Sequence, residues 1–180
     1  MSAEDSGVPG GAIHGEHPFL PPEDQRDPVR RFRGRLPSPV LLWTAQQGGR
    51  RAGLTVSSAV VADGEPARLL GLIDEDSDLW EVVRESRRFA AQLLAWSHRP
   101  AADAFAGVAP APGGPFQGYS WRDSPWGPVL SDVATWAGCR LADFRPMGYA
   151  LLMEAEIEEI VLGDVPRPLL HTRGRYVTFG

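Results

Sequence analysis

From Pro39 onward the chain consists of short apolar runs broken at close intervals by Gly, Pro and Asp, a punctuation that leaves room for strands and little else. Residues 40–45 form a strand candidate, closed by Gln46, Gln47, Gly48 and Gly49 as a hairpin turn. Residues 54–61 alternate as a second strand that ends at Asp63 and Gly64, and residues 68–73 make a short apolar run suited to a buried strand. A helix follows. Asp76, Ser77 and Asp78 supply capping side chains, Asp78 and Glu81 have capping-box spacing, and Leu79, Val82, Val83 and Ser86 recur on one face.

Residues 89–96 read as another strand, and residues 101–105, just after Pro100, as a short helix. Residues 107–118 are a Pro/Gly-rich loop, long enough to suggest a functional or subunit-contact role. Residues 134–144, 150–162 and 176–179 complete the strand candidates. The middle one carries Glu154, Glu156, Glu158 and Glu159, which favour helix by propensity. Leu152, Glu154, Glu156 and Glu158 nevertheless alternate with Met153, Ala155 and Ile157, so the segment is read as a strand with one wet face. Strands joined by turns, with two short helices, predict a mainly β barrel with helical inserts.

Residues 1–28 are rich in Gly, Pro and charge and have no sustained period, which predicts a flexible tail ahead of a domain at 29–180. The arginines of residues 26–35 read as a solvated entry segment. A net charge of −5 argues against a nucleic-acid partner, which needs concentrated positive charge. No apolar run approaches ~20 residues and no leader pattern opens the chain, so no membrane association and a cytoplasmic location are expected. Cys139 stands alone in an apolar alternation, the usual setting of a small buried hydrophobe. No cluster has metal-ligand spacing, His14 and His17 lie in the tail, and no strand is followed by G-x-G-x-x-G.

The order of segments resembles the flavin-reductase-like FMN-binding split-barrel family. Gly53-Leu54-Thr55-Val56-Ser57-Ser58 looks like that family's G-[ML]-T-x-[NS]-S. Pro66, residues 69–73 and the helix near Ser77 follow at similar spacings. Next come Arg88-Phe89-Ala90-Ala91-Gln92-Leu93-Leu94, residues 102–106, the Gly127-Pro128-Val129-Leu130 turn and the strand 136–141. The closing Pro168-Leu169-Leu170-His171-Thr172-Arg173-Gly174-Arg175-Tyr176 resembles P-L-x-y-x-x-G-x-Y. Each motif is short; their shared order and spacing make the resemblance, which spans residues 37–176.

The resemblance implies a split β-barrel of Greek-key type with two short helical inserts, a homodimer, and a cofactor, FMN or FAD, reduced by NADH or NADPH for a partner oxygenase or small acceptor. It places flavin against Leu54, Thr55, Val56, Ser57 and Ser58, with Ser77, Gln92 and Phe116 as further contacts. His171, Arg173, Arg175 and Tyr176 offer positive charge and stacking and are candidates for the nicotinamide cofactor, or else are the solvated basic residues of a closing strand; no catalytic acid or base is assigned. Hydroxyls and backbone N–H groups suit a phosphate and polyol chain, and flat apolar walls suit the ring system.

Departures from the pattern bear on function. Asp78 stands where threonine is usual, behind Asp74, Glu75 and Asp76, so helix capping is the better reading there. Gln92 replaces asparagine and either reaches the flavin edge or faces the barrel wall. Pro115 replaces a basic residue, and Gly148-Tyr149-Ala150 lacks the family's histidine. His98 reads as a surface turn residue, and Trp121 and Trp126 as the tryptophans nearest ligand. A second reading stays open: a barrel that binds flavin, or a related ring cofactor such as haem or a deazaflavin, without pyridine-nucleotide turnover.

Overall fold

The computed structural model describes residues 27–179. A seven-stranded antiparallel sheet forms the body. Its strands are β2 (Leu41–Gln47), β3 (Arg50–Val56), β4 (Val60–Ala62), β5 (Arg68–Ile73), β6 (Arg88–Leu93), β9 (Trp136–Met147) and β10 (Ala150–Val161), ordered β3-β2-β6-β9-β10-β5-β4. Small sheets of β1 (Ser38–Pro39) with β11 (Leu170–Thr172) and β12 (Arg175–Val177), and of β7 (Trp121–Arg122) with β8 (Val129–Leu130), complete it. Three α-helices accompany the strands: α1 (Pro28–Arg35), α2 (Asp78–Ser86) and α3 (Arg99–Phe105).

The first residues of β2 show why its start, Leu41-Leu42-Trp43, is an unbroken apolar run. Trp43 and Ala45 point into one core with α2, whereas Val40, just before the strand, and Leu42 point into a second core with α3. Both faces are covered, so alternation with polar residues is absent. The first core includes Phe89, whose ring lies 4.7 Å from that of Trp43, and Leu79, Val82 and Val83 of α2. The second joins Leu94, Leu130 and Leu169 to Ala101, Ala102 and Phe105 of α3.

β10 is a strand, as its alternation predicts: Leu151, Met153 and Ala155 are buried. Register shifts after Glu154 and after Ile157 bend its pairing with β9. The outward glutamates face arginines. Glu156 pairs with Arg68 and Arg140, and Glu158 with Arg88 and Arg140.

Several expectations need correction. The single strand at 54–61 is interrupted, because the Ser58 hydroxyl donates to the Leu72 carbonyl (2.8 Å) and accepts from the Leu72 N–H (2.9 Å). That one side chain takes the place of a ladder partner, so β3 stops at Val56 and β4 begins at Val60. The strand at 89–96 ends at Leu93, and Trp96–His98 is a 3-10 turn. The 127–130 turn contains β8, and the closing segment is the β11–β12 hairpin; the two expected helical inserts are α2 and α3, and among the described residues α1 adds a third α-helix ahead of the first strand.

The entry segment is helical because Asp27 caps it, accepting from the Val29 N–H at 2.8 Å, and Pro28 opens its first turn. The expected tail otherwise lies outside the described residues, as do His14 and His17. No helix among the described residues is long and apolar enough to cross a membrane.

Candidate functional site

At the C-terminal end of β3 the chain emerges beside α3 and the β11–β12 hairpin. Gly53 permits that approach: a Cβ there would lie 2.6 Å from the Phe105 ring. Two residues on, the Thr55 hydroxyl donates to the Ala102 carbonyl at 2.7 Å and ties β3 to α3. Thr55 and Ser57 then line a cavity of about 350 Å³ whose other walls include Asp103, His171, Gly174, Arg175 and Tyr176. Leu54 is partly buried against the first core and Val56 lies within it, so they shape the wall from behind.

The polar groups of this cavity are set by neighbours. Tyr176 hydrogen-bonds Asp103, and its phenol is pushed up to about 12, first by burial and then by the Asp103 charge and hydrogen bond. His171 meets the Tyr176 ring edge-on, with centroids 5.9 Å apart. Arg173 is not in the lining: it occupies the tight turn between β11 and β12, and its N–H donates to the Gly34 carbonyl of α1.

A second cavity of about 770 Å³ adjoins the first and shares Asp103, Val108, Arg175 and Tyr176 with it. The 108–115 loop, Trp96, Arg99 and Tyr119 line it. The Pro/Gly-rich segment is therefore one wall of the site.

Other sequence candidates serve the scaffold. Gln92 is fully buried: its amide nitrogen donates to the Thr44 hydroxyl (3.0 Å) and the Pro128 carbonyl (3.3 Å), and its oxygen accepts from the Leu130 N–H (2.7 Å). Of its two readings, facing the barrel wall is the one this geometry matches. Phe116 packs edge-on against Phe105, at 4.9 Å between centroids, and beside Trp121. Ser58 bridges to β5, as above. Ser77 is the N-cap of α2, accepting from the Trp80 N–H at 3.3 Å and donating to the Asp74 carbonyl at 2.6 Å.

The capping assignment to Asp78 is thus corrected. Asp78 and Glu81 instead hold Arg50, at 3.0 and 2.7 Å. His98 is buried rather than a surface residue, its Nδ1 accepting from the Ala95 N–H (2.9 Å) and its Nε2 facing Asp132 (3.3 Å). Trp121 belongs to the aromatic cluster of the second core. Trp126 covers Gly138 and donates to Glu158 at 2.8 Å, so neither tryptophan lines the joined cavities.

The Gly148–Ala150 turn is the β9–β10 hairpin tip, with Tyr149 wholly exposed. Cys139 is fully buried, its thiol pushed up to about 12 chiefly by burial. No metal-binding cluster occurs among the described residues. Sequence reasoning did not single out Arg99 or Asp103, although Asp103 lies in the 102–106 helix and Val108 in the 107–118 loop that it flagged.

Antiparallel sheets covered by short helices, with two adjoining and mainly apolar cavities that carry a few polar groups beside β3, define a small β protein with a binding groove. Within it, the flavin reductase like domain model matches residues 33–180, and the chain belongs to that family. An NADPH-flavin oxidoreductase of Streptomyces viridifaciens is 33% identical over 160 residues, covering 85% of this chain and 81% of its own. The FMN reductase (NADH) RutF of Methylorubrum extorquens strain DM4 is 27% identical over 150 residues, covering 83% and 73%. The flavin reductase PheA2 superposes with a TM-score of 0.77 at 21% identity, over 84% of this chain and 96% of its own. The styrene monooxygenase flavin reductase of Pseudomonas putida S12 gives 0.75 at 18% identity, over 86% and 98%.

Proposed function

We propose that the chain is an NAD(P)H-dependent flavin reductase whose flavin lies along β3 and the residues after it, with Thr55 and Ser57 facing the ring and polyol chain. One observation carries this reading: the two hydroxyl-bearing residues of that segment share a cavity with His171, Arg175 and Tyr176 from the far end of the chain. The lining suits such a ligand, since Val40, Ala106 and Val108 supply apolar surface while Ser57, Asp103 and Arg175 supply polar atoms. A flavin held there would supply the hydride acceptor for NADH or NADPH, chemistry that asks this chain for close positioning of the two rings rather than for an acid or base.

The chain's part is therefore positional. Thr55, fixed to α3, sets the wall. Tyr176 keeps its proton and donates a hydrogen bond to Asp103, and His171 supplies the imidazole of this cavity. Relatives named as NADPH-flavin and FMN (NADH) oxidoreductases support the reading, and the family kinship supports delivery of reduced flavin to a partner oxygenase or small acceptor.

The reading includes a homodimer. A groove of about 430 Å³ between the sheet ends is lined almost wholly by apolar side chains, among them Leu41, Val60, Val61, Trp136, Ile160 and Leu162. Val60, Val61, Ile160 and Leu162 are each more than half exposed, an uncovered patch of the kind that a second subunit buries.

The deciding experiment mixes purified protein with riboflavin, FMN or FAD and NADH or NADPH and follows pyridine-nucleotide oxidation. Oxidation well above the free-flavin rate is expected. Retention of a yellow chromophore through gel filtration without such oxidation would leave the barrel as a flavin-binding protein and end the enzyme reading.

A further inference from the structure

His98 is a buried histidine with both ring nitrogens engaged. Its Nδ1 accepts from the Ala95 N–H at 2.9 Å, and its backbone N–H donates to the Ala95 carbonyl at 2.9 Å. Side chain and backbone thus grip one residue from both sides. A ring nitrogen that accepts carries no proton, so the neutral imidazole holds its hydrogen on Nε2 and points it at Asp132, 3.3 Å away in the turn after β8.

Ala95 is a joint between elements. It bridges Pro168, the Trp96 N–H donates to the Arg167 carbonyl, and the Leu169 N–H donates to the Leu94 carbonyl. Residues 167–169 lead into β11, which carries His171, and α3 begins at Arg99, immediately after His98. From α3, Ala102 accepts the Thr55 hydroxyl, Asp103 bonds Tyr176, and Phe105 lies against Gly53. One imidazole therefore fixes the point from which two walls of the smaller cavity depart, and α3 has no side-chain cap of its own.

We propose that His98 is a positioning residue for this site, a clasp that is closed while its imidazole is neutral and opens when it gains a proton. The proposal rests on reading the smaller cavity as the flavin site. A second proton has to go to Nδ1, where it meets the Ala95 N–H, two donors with no acceptor between them. The Ala95 bond breaks, and α3 and residues 167–169 lose their common anchor. The charged groups around the ring are Asp132, then Arg99 and Arg167 over the Trp96 ring, and Arg122, whose guanidinium donates to the Val133 carbonyl beside Asp132. Asp132 favours a cation, though its exposure weakens that pull, while the arginines and the Ala95 N–H oppose it.

The first test uses no ligand. Imidazole nitrogen shifts measured by NMR at about pH 8 should show the His98 proton on Nε2, its signal being identified by its loss in His98→Gln. As the pH is lowered to about 5, the amide signals of Ala95, Ala102 and Thr55 should move together with the His98 ring. FMN, followed by its fluorescence, should bind about tenfold more weakly at the lower pH. In turnover, KM for FMN should rise more than kcat falls. Glutamine at the third position of such a turn can accept the same N–H and does not titrate, so affinity in His98→Gln should lose most of its pH dependence, and what remains belongs to His171. His98→Ala should bind FMN weakly throughout. Asp132→Asn keeps an acceptor for the Nε2 hydrogen without the charge and should move the transition to lower pH.

A proton on Nδ1 at the higher pH, or a glutamine variant with the full pH profile of the parent, overturns the proposal. Should that variant fail to fold, the parent titration decides, and amides that do not follow the ring overturn it equally. No FMN binding at any pH, with Ala95, Ala102 and Thr55 still following His98, would sink the flavin reading of the cavity and leave the clasp standing.

Discussion

Replacing Gln92 by alanine leaves the buried Leu130 N–H without its acceptor and removes two further bonds, to Thr44 and Pro128. A loss of about 2–4 kcal/mol in unfolding free energy is expected, read from the denaturant midpoint. Cys139 makes the opposite case, a group defined by what it does not do. With its thiol pushed up to about 12 by burial, it should resist thiol reagents at pH 8 in the native protein and react only after unfolding. Tyr176 adds a pH dependence. Its folded value is raised from 10.0 to about 12, so the native state holds the phenolic proton more tightly than the unfolded chain. Its contribution is complete below pH 10 and is lost as pH rises toward 12. Melting temperatures across that window should therefore fall less steeply for Tyr176→Phe than for the parent.

At the scale of elements, caps and turns decide boundaries that periodicity leaves loose. Ser77 and Asp78 both suit an N-cap by residue type, and sequence spacing favoured Asp78 because Glu81 follows at the right interval. What reversed this was Arg50 on β3, nearby in space and remote in sequence, which engages both acids. Ser77→Ala should accordingly lower stability by about 1 kcal/mol, and Asp78→Ala by less, in thermal melts of the two variants. The break between β3 and β4 has the same character: nothing local in Ser57-Ser58-Ala59 announces that one hydroxyl will replace a ladder pair with Leu72.

For the molecule as a whole, the apolar groove at Val60, Val61, Ile160 and Leu162 predicts self-association. Val61→Asp should shift sedimentation from dimer to monomer while leaving the far-ultraviolet spectrum unchanged. The positions of most strands along the chain, the wet and buried faces of β10, the burial of Cys139 and the family were legible in the sequence. Periodicity and turn chemistry are local properties, and the motifs kept their order. The site was legible only in part. Thr55, Ser57, His171, Arg175 and Tyr176 line one cavity, whereas Gln92, Phe116 and Ser58 make contacts within the scaffold. Asp103 lay unremarked inside the 102–106 helix and Arg99 outside every motif, because a cavity wall is made by whichever side chains two packed elements happen to present. Short-range pattern determined which segments become strands and helices; only the tertiary structure decided how distant strands pair, and the packing of α3 and the β11–β12 hairpin against β3 decided which polar atoms share a space.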